Sequence, residues 1–389
     1  MSVQGETAKG FERVRDAFDE HANEMGRGGA AFAAYQGGKK IVDLWGGFAR
    51  PGVDWTRDTV SCFFSTTKTL TGVVAMLLHD RGQLDFDVPV MTYWPEFAAN
   101  GKEAVTVRQL LSMQAGFPYV PGYEDFLSPS GEGWDQTEEI ERRIAESAPL
   151  TEIGKPAYAL VNFGLLVNAV VRRTSGRHVK DIWNDDVARP LGVDLWLGGR
   201  DDVRARAAQL HNFDEPGLVL ATGALDAKAW HEVDGRSILD DLAAFASAPA
   251  VLRGLEGGGE SLGTAAAMAK VYAMLENGGT LDGVKILTPE TVSEFTEVQS
   301  REPDVVIAAL GTIAPSNWLL GGIECNYEME PGMGMIMGPG PRSFGKAGAG
   351  GQNGFADPDH KLGVAFVRSH LTWTSPLERE LVDALYTCL

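Results

Sequence analysis

The chain has 389 residues, 44% of them hydrophobic, and carries 34 basic against 53 acidic side chains, a formal net charge of −19. That length and apolar content suit a folded protein with a large core and exclude disorder or a coiled coil as overall descriptions. The acidic surplus argues against nucleic acid and anionic membrane surfaces as partners.

The first two dozen residues are charged throughout and lack the apolar centre of a secretory leader, and no segment approaches the roughly 18 apolar residues of a spanning helix. Cys62, Cys325 and Cys388 have neither metal-site spacing nor the numbers for a disulfide scaffold. A cytoplasmic protein is expected.

Phe11 to Glu24 has helical spacing, with Phe11, Val14 and Phe18 on one side and a turn at Met25–Gly29. Two strands follow, AAFAAYQ and KIVDLWGG, joined by the Gly37–Gly38 turn of a hairpin. A buried helix begins near Ser65, runs through KTLTGVVAMLLHDRG and stops at Gly82. Between about residues 90 and 230 the pattern is helical, in VTVRQLLSM, TEEIERRIAES, FGLLVNAVVRRTSG and DDVRARAAQLH, with no alternating strands between them. SLGTAAAMAKVYAMLENGG and TPETVSEFTEV continue as helices. Strands return in FGKAGAG, GQNGFADP and KLGVAFVRS before a terminal helix around PLERELVDALYTCL. The pattern predicts an α/β body formed by both chain ends, 1–90 and 265–389, around a mainly helical lobe at 91–264, with the active site in the cleft between them.

None of the glycine clusters, GLEGGGESLG and GAGGQNG among them, has the strand-to-helix context of a phosphate-binding loop, so no nucleotide cofactor is expected. The histidines His178, His211, His231, His360 and His370 lack metal-binding spacing, so no metal is expected either.

The chemistry concentrates elsewhere. In FFSTTKTLT, Ser65 and Lys68 stand three residues apart, which on a helix places hydroxyl and amine on one face. A serine becomes a nucleophile when a neighbour accepts its proton, and burial or a nearby cation lowers a lysine pKa enough for that role. The plain alternative is a serine cap beside a solvated lysine. Tyr158, in a loop just before a helix, adds a phenol that can donate or accept a proton. Near the other end FGKAGAGG offers Lys346 as positive potential and Gly348 as a strand position without side-chain obstruction, where backbone N–H groups are exposed to a pocket. Serine, two lysines and tyrosine form a coherent acyl-transfer set.

With these residues in this order, the chain resembles the serine β-lactamase and penicillin-binding-protein superfamily, especially its class C-like branch, the family VIII carboxylesterases. The resemblance covers nearly the whole chain: S65-T-T-K68, VRQLLSMQAGFPY, the Tyr158 segment, LENGGTLDGVKILTPET, and K346-A-G348 with GFADP. It implies a β-lactamase-like fold with a central antiparallel sheet flanked by helices. By the same resemblance Ser65 is the acylated nucleophile, Lys68 the neighbouring base, Tyr158 the group that helps activate serine and protonate the leaving group, and Lys346 the lysine of the K-T-G strand. Both Lys68 and Tyr158 stand as the main base. The implied oxyanion donors are the N–H groups of Ser65 and Ala349, and Tyr123 and Trp318 are expected as substrate walls.

Two positions depart from the family's lactamase members. Ala347 stands where the K-T-G strand has threonine, and Leu160 stands where an asparagine follows the tyrosine by two residues; Asn162 is two positions too late to replace it. Leu160 has no amide for a substrate amide and Ala347 no hydroxyl for a carboxylate. The expectation is a serine carboxylesterase hydrolysing short-chain acyl esters through an acyl-enzyme, without a cofactor, on a small-molecule ester. A β-lactamase or D-amino-acid amide or peptide hydrolase, an acyltransferase, and a binding protein that keeps only the fold are the alternatives.

Overall fold

A computed structural model describes residues 2–214, 228–309, 316–326, 337–373 and 375–389. Its centre is an antiparallel sheet in the order Gln4–Thr7, Lys39–Arg50, Gly29–Gln36, Leu362–Arg368, Gln352–Asp357, Phe344–Gly348 and Glu324–Cys325, with Val53–Asp54 paired onto Lys39–Arg50. Strands from the two ends of the chain therefore meet at the middle of one sheet. The expected hairpin is present, and Gly37 and Gly38 both take positive φ, 54° and 76°, as a two-residue turn matched to strand twist requires.

Alternation along the central strands divides the core into two layers. Leu362, Val364 and Phe366, with Ala30, Phe32 and Ala34, pack against Val14, Phe18, Leu381 and Leu385 of the helices Glu12–Glu20 and Leu377–Thr387. Ala365, Val367, Ala31 and Ala33 face the opposite layer. There the helix Ala265–Glu276 crosses Leu362–Arg368 so closely that a Cβ on Gly363 would stand 2.2 Å from Ala273 N. Small residues on this face let the helix sit low, and the helix Lys68–Asp80 lies in the same layer, buried from Lys68 through Leu78.

The helices expected in the middle of the chain form at Val107–Leu111, Thr137–Glu146 and Phe163–Ser175, the last ended by Gly176 at φ 72°. The segment DDVRARAAQLH is a correction: only Asp201–Arg204 is helical. After a turn at 205–206 the chain leaves the helical course, Ala208 N bonding Val60 O, Gln209 N bonding Ala49 O and His211 bridging His370, because the sheet body offers backbone partners that override local helix preference. The first helix is likewise shorter than Phe11–Glu24, giving way to a 3₁₀ turn at Ala22–Met25. A second, three-stranded sheet of Ser61–Cys62, Leu262–Gly263 and Leu195–Trp196 had no sequence signal, and it joins the chain just before Ser65 to the chain just after residue 260. Among the described residues no helix is long and apolar enough to cross a membrane.

Candidate active site

Ser65 lies in the 3₁₀ turn Phe64–Thr67 that opens directly into the helix Lys68–Asp80. Phe64, 5% exposed, holds φ at 47°, in the left-handed region disfavoured for a side chain of that size. The turn presents Ser65 while Lys68, one helical turn on, reaches back beneath it. The Lys346 strand closes the other side. Thr66 Oγ1 donates to Lys346 O at 2.8 Å, and a Cβ on Gly348 would stand 2.3 Å from Phe63 O. Gly348 is thus required by the close approach of the strand to the serine turn, a tighter reason than the open donor face expected from sequence.

Pairing explains why this strand is available. The short strand Glu324–Cys325 covers only Gly345 and Phe344. Residues 346–348 run past that partner and meet the serine turn instead.

Ser65 Oγ is held from two sides. Tyr158 OH donates to it at 2.7 Å, and Lys68 Nζ lies 3.2 Å away. Lys68 is wholly buried, and its Nζ also donates to the carbonyls of Leu160 and Gly258, each at 2.7 Å. Burial drives the Lys68 pKa well below the ordinary lysine range, the Lys346 charge adds to this, and the Glu260 carboxylate opposes it. A neutral amine here has two N–H bonds for the two carbonyls and a lone pair for the Ser65 hydroxyl.

Burial also raises the Tyr158 phenol, against the pull of Lys346 and the Ser65 hydrogen bond, which keeps it protonated. Lys346 behaves oppositely to Lys68. Burial, the largest single influence, would lower its pKa, but Glu324, whose Oε1 lies 3.1 Å from Nζ, together with Tyr158 and Asp304 outweighs burial and raises it. Its ammonium sits 4.4 Å from the ring centroids of both Tyr158 and Trp318. The two buried lysines are thereby shifted in opposite directions.

A cavity of about 230 Å³ opens above Ser65. Ser65, Tyr158, Lys346, Ala347, Gly348 and Ala349 form its reactive end, and Leu160 and Val161 one wall. Phe64 lines the cavity beside Ser65, and much of the remaining wall, Trp230, Ile238, Leu242, Phe245, Val251 and Leu255, comes from the segment 228–259, whose short helices Leu242–Ser247 and Pro249–Gly254 turn apolar faces inward. These wall residues carried no motif in the sequence; only the apolar spacing of those helices marked them. Trp373 also lines the cavity, 37% exposed.

Two expected walls are corrected. Tyr123 is 2% exposed and does not line the cavity; its hydroxyl donates to Glu232 O at 2.9 Å, an internal partner that lets the ring pack in the core. Trp318 is fully buried behind Tyr158, its Nε1 donating to Asp304 at 3.0 Å, so it backs the tyrosine and Lys346 and does not meet the cavity. Asn162 turns away too, its amide donating to Phe117 O. Asp304, Glu324 and Glu260, which set this electrostatic frame, belong to no sequence motif; the visible signal for Glu260 was a pair of acids, Glu256 and Glu260, within the glycine cluster GLEGGGESLG.

The sheet order, the serine turn and the lysine strand together define a serine-hydrolase scaffold of the β-lactamase kind. The model of the family described as Beta-lactamase matches residues 14–386, and the chain belongs to that family. It is 34% identical over 361 residues to the Esterase/beta-lactamase LipL of Mycobacterium tuberculosis, covering 90% of this chain and 78% of that protein. Among solved structures, a penicillin-binding protein homologue from Caulobacter crescentus superposes with a TM-score of 0.87 at 31% identity, over all of both chains. A family VIII carboxylesterase superposes with a TM-score of 0.83 at 30% identity, again over all of both chains. The chain is thus an esterase/β-lactamase-like hydrolase of the serine β-lactamase and penicillin-binding-protein superfamily.

Proposed function

We propose that the protein is a serine carboxylesterase acting on short-chain acyl esters through an acyl-enzyme on Ser65. The observation that carries this reading is Ser65 Oγ held between Tyr158 OH and Lys68 Nζ at the end of a cavity whose other walls are apolar.

In the first half-reaction Ser65 Oγ attacks the ester carbonyl and its proton passes to the neutral Lys68 amine. The oxyanion is stabilised by the backbone N–H groups of Ser65 and Ala349. As the intermediate collapses, Tyr158 protonates the departing alkoxide and recovers a proton from Lys68. In the second half-reaction water attacks the acyl carbonyl, gives its proton to the same pair, and Ser65 leaves with a proton restored. The two pKa directions favour Lys68 as the acceptor and Tyr158 as the donor, although their titrations are coupled through Ser65.

The walls support an ester over a lactam. Apart from Lys346, whose charge is matched by Glu324, none of the described residues lining the cavity offers an ionic side chain to a substrate carboxylate, and Leu160 and Ala347 add none of the missing polar contacts. An alkoxide also departs with less protonation than an amine.

The test is initial turnover on p-nitrophenyl esters of graded acyl length beside a chromogenic cephalosporin, with intact-protein mass spectrometry for the adduct and Ser65→Ala as control. Fast ester turnover with a Ser65-dependent adduct is expected. Preferential cephalosporin turnover would reverse the assignment, and full activity in Ser65→Ala would remove Ser65 as nucleophile.

A further inference from the structure

Lys68 owes its orientation to carbonyls, and one of them belongs to a glycine loop with no side chain of its own to hold it. Gly258 O accepts from Lys68 Nζ at 2.7 Å, and a Cβ at Gly258 would stand 2.3 Å from Val161 O, so the loop must fit by backbone alone. Such a segment carries the largest conformational entropy of any sequence and needs fixing from outside.

The fixing group is Glu260. It is 1% exposed, and its two carboxylate oxygens accept from the N–H groups on either side of Gly258: Gly257 N to Oε1 at 2.5 Å and Gly259 N to Oε2 at 3.0 Å. The rest of the loop is tied to the serine helix. Thr71 Oγ1 donates to Gly257 O at 3.0 Å, Phe63 N to Ser261 O at 3.2 Å, and the hydroxyls of Thr67 and Ser261 are 2.7 Å apart. Cys62 Sγ reaches Gly259 O at 3.3 Å. A buried carboxylate is costly unless its partners require it, and a neutral side chain of equal length would serve one of these N–H groups but not both.

From this geometry we infer that Glu260 is a positioning residue for catalysis: it clamps Gly257 and Gly259 so that the Gly258 carbonyl holds Lys68 Nζ on Ser65. The inference rests on the Ser65–Lys68–Tyr158 reading. It adds a second consequence, since the carboxylate charge also acts on Lys68. The groups facing Glu260 are Lys68 from the serine helix, Cys62 from the short strand before it, and Glu256 from its own loop, with Lys346 beyond Lys68. Burial, with Glu256 adding to it, raises Glu260 to about 7 despite the two N–H bonds. Its ionised form holds the Lys68 proton more tightly, so replacing it with a neutral group lets Lys68 lose that proton at lower pH.

The test uses Glu260→Gln, Glu260→Asp and Glu260→Ala in the full chain, with Ser65→Ala as control, reading thermal unfolding, kcat, KM and the pH dependence of kcat/KM on a p-nitrophenyl ester. In a variant that melts like the wild type, kcat is expected to fall about tenfold to a hundredfold with KM nearly constant, the loss that misplacement of a catalytic group produces. In Glu260→Gln the acid limb moves to lower pH, a change that loop packing alone does not cause. Folded variants with wild-type kcat and pH profile would overturn the inference. So would failure of all three to fold, which would make the clamp structural and nothing more. If Ser65→Ala keeps its turnover, the site reading itself falls, an outcome separate from either.

Discussion

Leu160 turns its carbonyl to Lys68 Nζ at 2.7 Å and its side chain to the cavity wall. On the proposed mechanism, one residue would serve the proton network through its backbone and the substrate through its side chain. The two duties are separable, since any residue at this position keeps the carbonyl. Exchange of an amide for an isobutyl group therefore changes what is bound without dismantling what reacts.

That separation predicts the behaviour of Leu160→Asn combined with Ala347→Thr. The amide and the hydroxyl would face the reactive end of the cavity, where Leu160 and Ala347 stand. Cephalosporin hydrolysis is expected to rise above wild type while ester turnover on apolar acyl groups falls, because a polar wall is left unpaired by an alkyl chain. The measurement is the ratio of kcat/KM for the two substrates. An unchanged ratio would place substrate preference in other walls.

Tyr158→Phe removes one hydroxyl and leaves the ring that Trp318 and Lys346 pack against. Loss of a positioned proton donor is expected to lower kcat by about 10²- to 10⁴-fold with little effect on the melting temperature. Equal turnover in the variant and wild type would dismiss the phenol from proton transfer.

Lys68 and Tyr158 give the pH profile its two limbs, and Lys346 shifts the first. Lys68 accepts a proton only when neutral, so kcat/KM falls as pH drops through its pKa, which burial places well below the ordinary lysine range. Tyr158 must stay protonated, and its raised pKa puts the alkaline limb above the ordinary phenol range. A wide plateau therefore lies between. Lys346→Met removes a like charge that helps keep Lys68 neutral, so the acid limb moves up in pH. It remains below the ordinary lysine range because burial, the larger cause, is untouched. A limb that shifts down, or not at all, would show that Lys346 does not set the charge of Lys68.

How far the sequence disclosed this site follows from what each residue depends on. Ser65 and Lys68 are one helical turn apart, so their proximity is a local property and could be read directly. The central strands were legible for the same reason: Leu362, Val364 and Phe366 alternate with residues of the opposite layer. Tyr158 and Lys346 come from distant segments, and their meeting at Ser65 was anticipated through family resemblance. Tyr123 and Trp318 were misjudged because whether an aromatic ring lines a pocket or fills the core depends on where its polar atom finds a partner, here Glu232 O and Asp304. Glu260 and Glu324 act through backbone groups and a lysine set beside them only by the tertiary fold, so spacing gave no pattern to detect. The non-helical course of residues 208–211 belongs to the same class, since its hydrogen bonds go to Val60, Ala49 and Ser369.

On the proposed function, the apolar side chains that segment 228–259 turns to the cavity make acyl length the property most open to design. Each added methylene that enters the cavity is worth about 0.8 kcal/mol of transfer free energy, or about fourfold in kcat/KM if realised in the transition state. Turnover on p-nitrophenyl esters is therefore expected to climb with acyl length and then drop once the chain outgrows a space of about 230 Å³. Ala246 sits on that wall with little exposure, between Phe245 and the helix Pro249–Gly254. Ala246→Leu fills part of the space and should move the optimum to shorter acyl groups while leaving acetate turnover within a few-fold of wild type, because the change lies in the wall and not among the groups that move protons. Initial rates on acetate, butyrate, hexanoate and octanoate esters read both effects. An optimum that stays in place would mean the acyl chain leaves Ser65 by another route, and the wall of short helices would then be the alcohol side of the site.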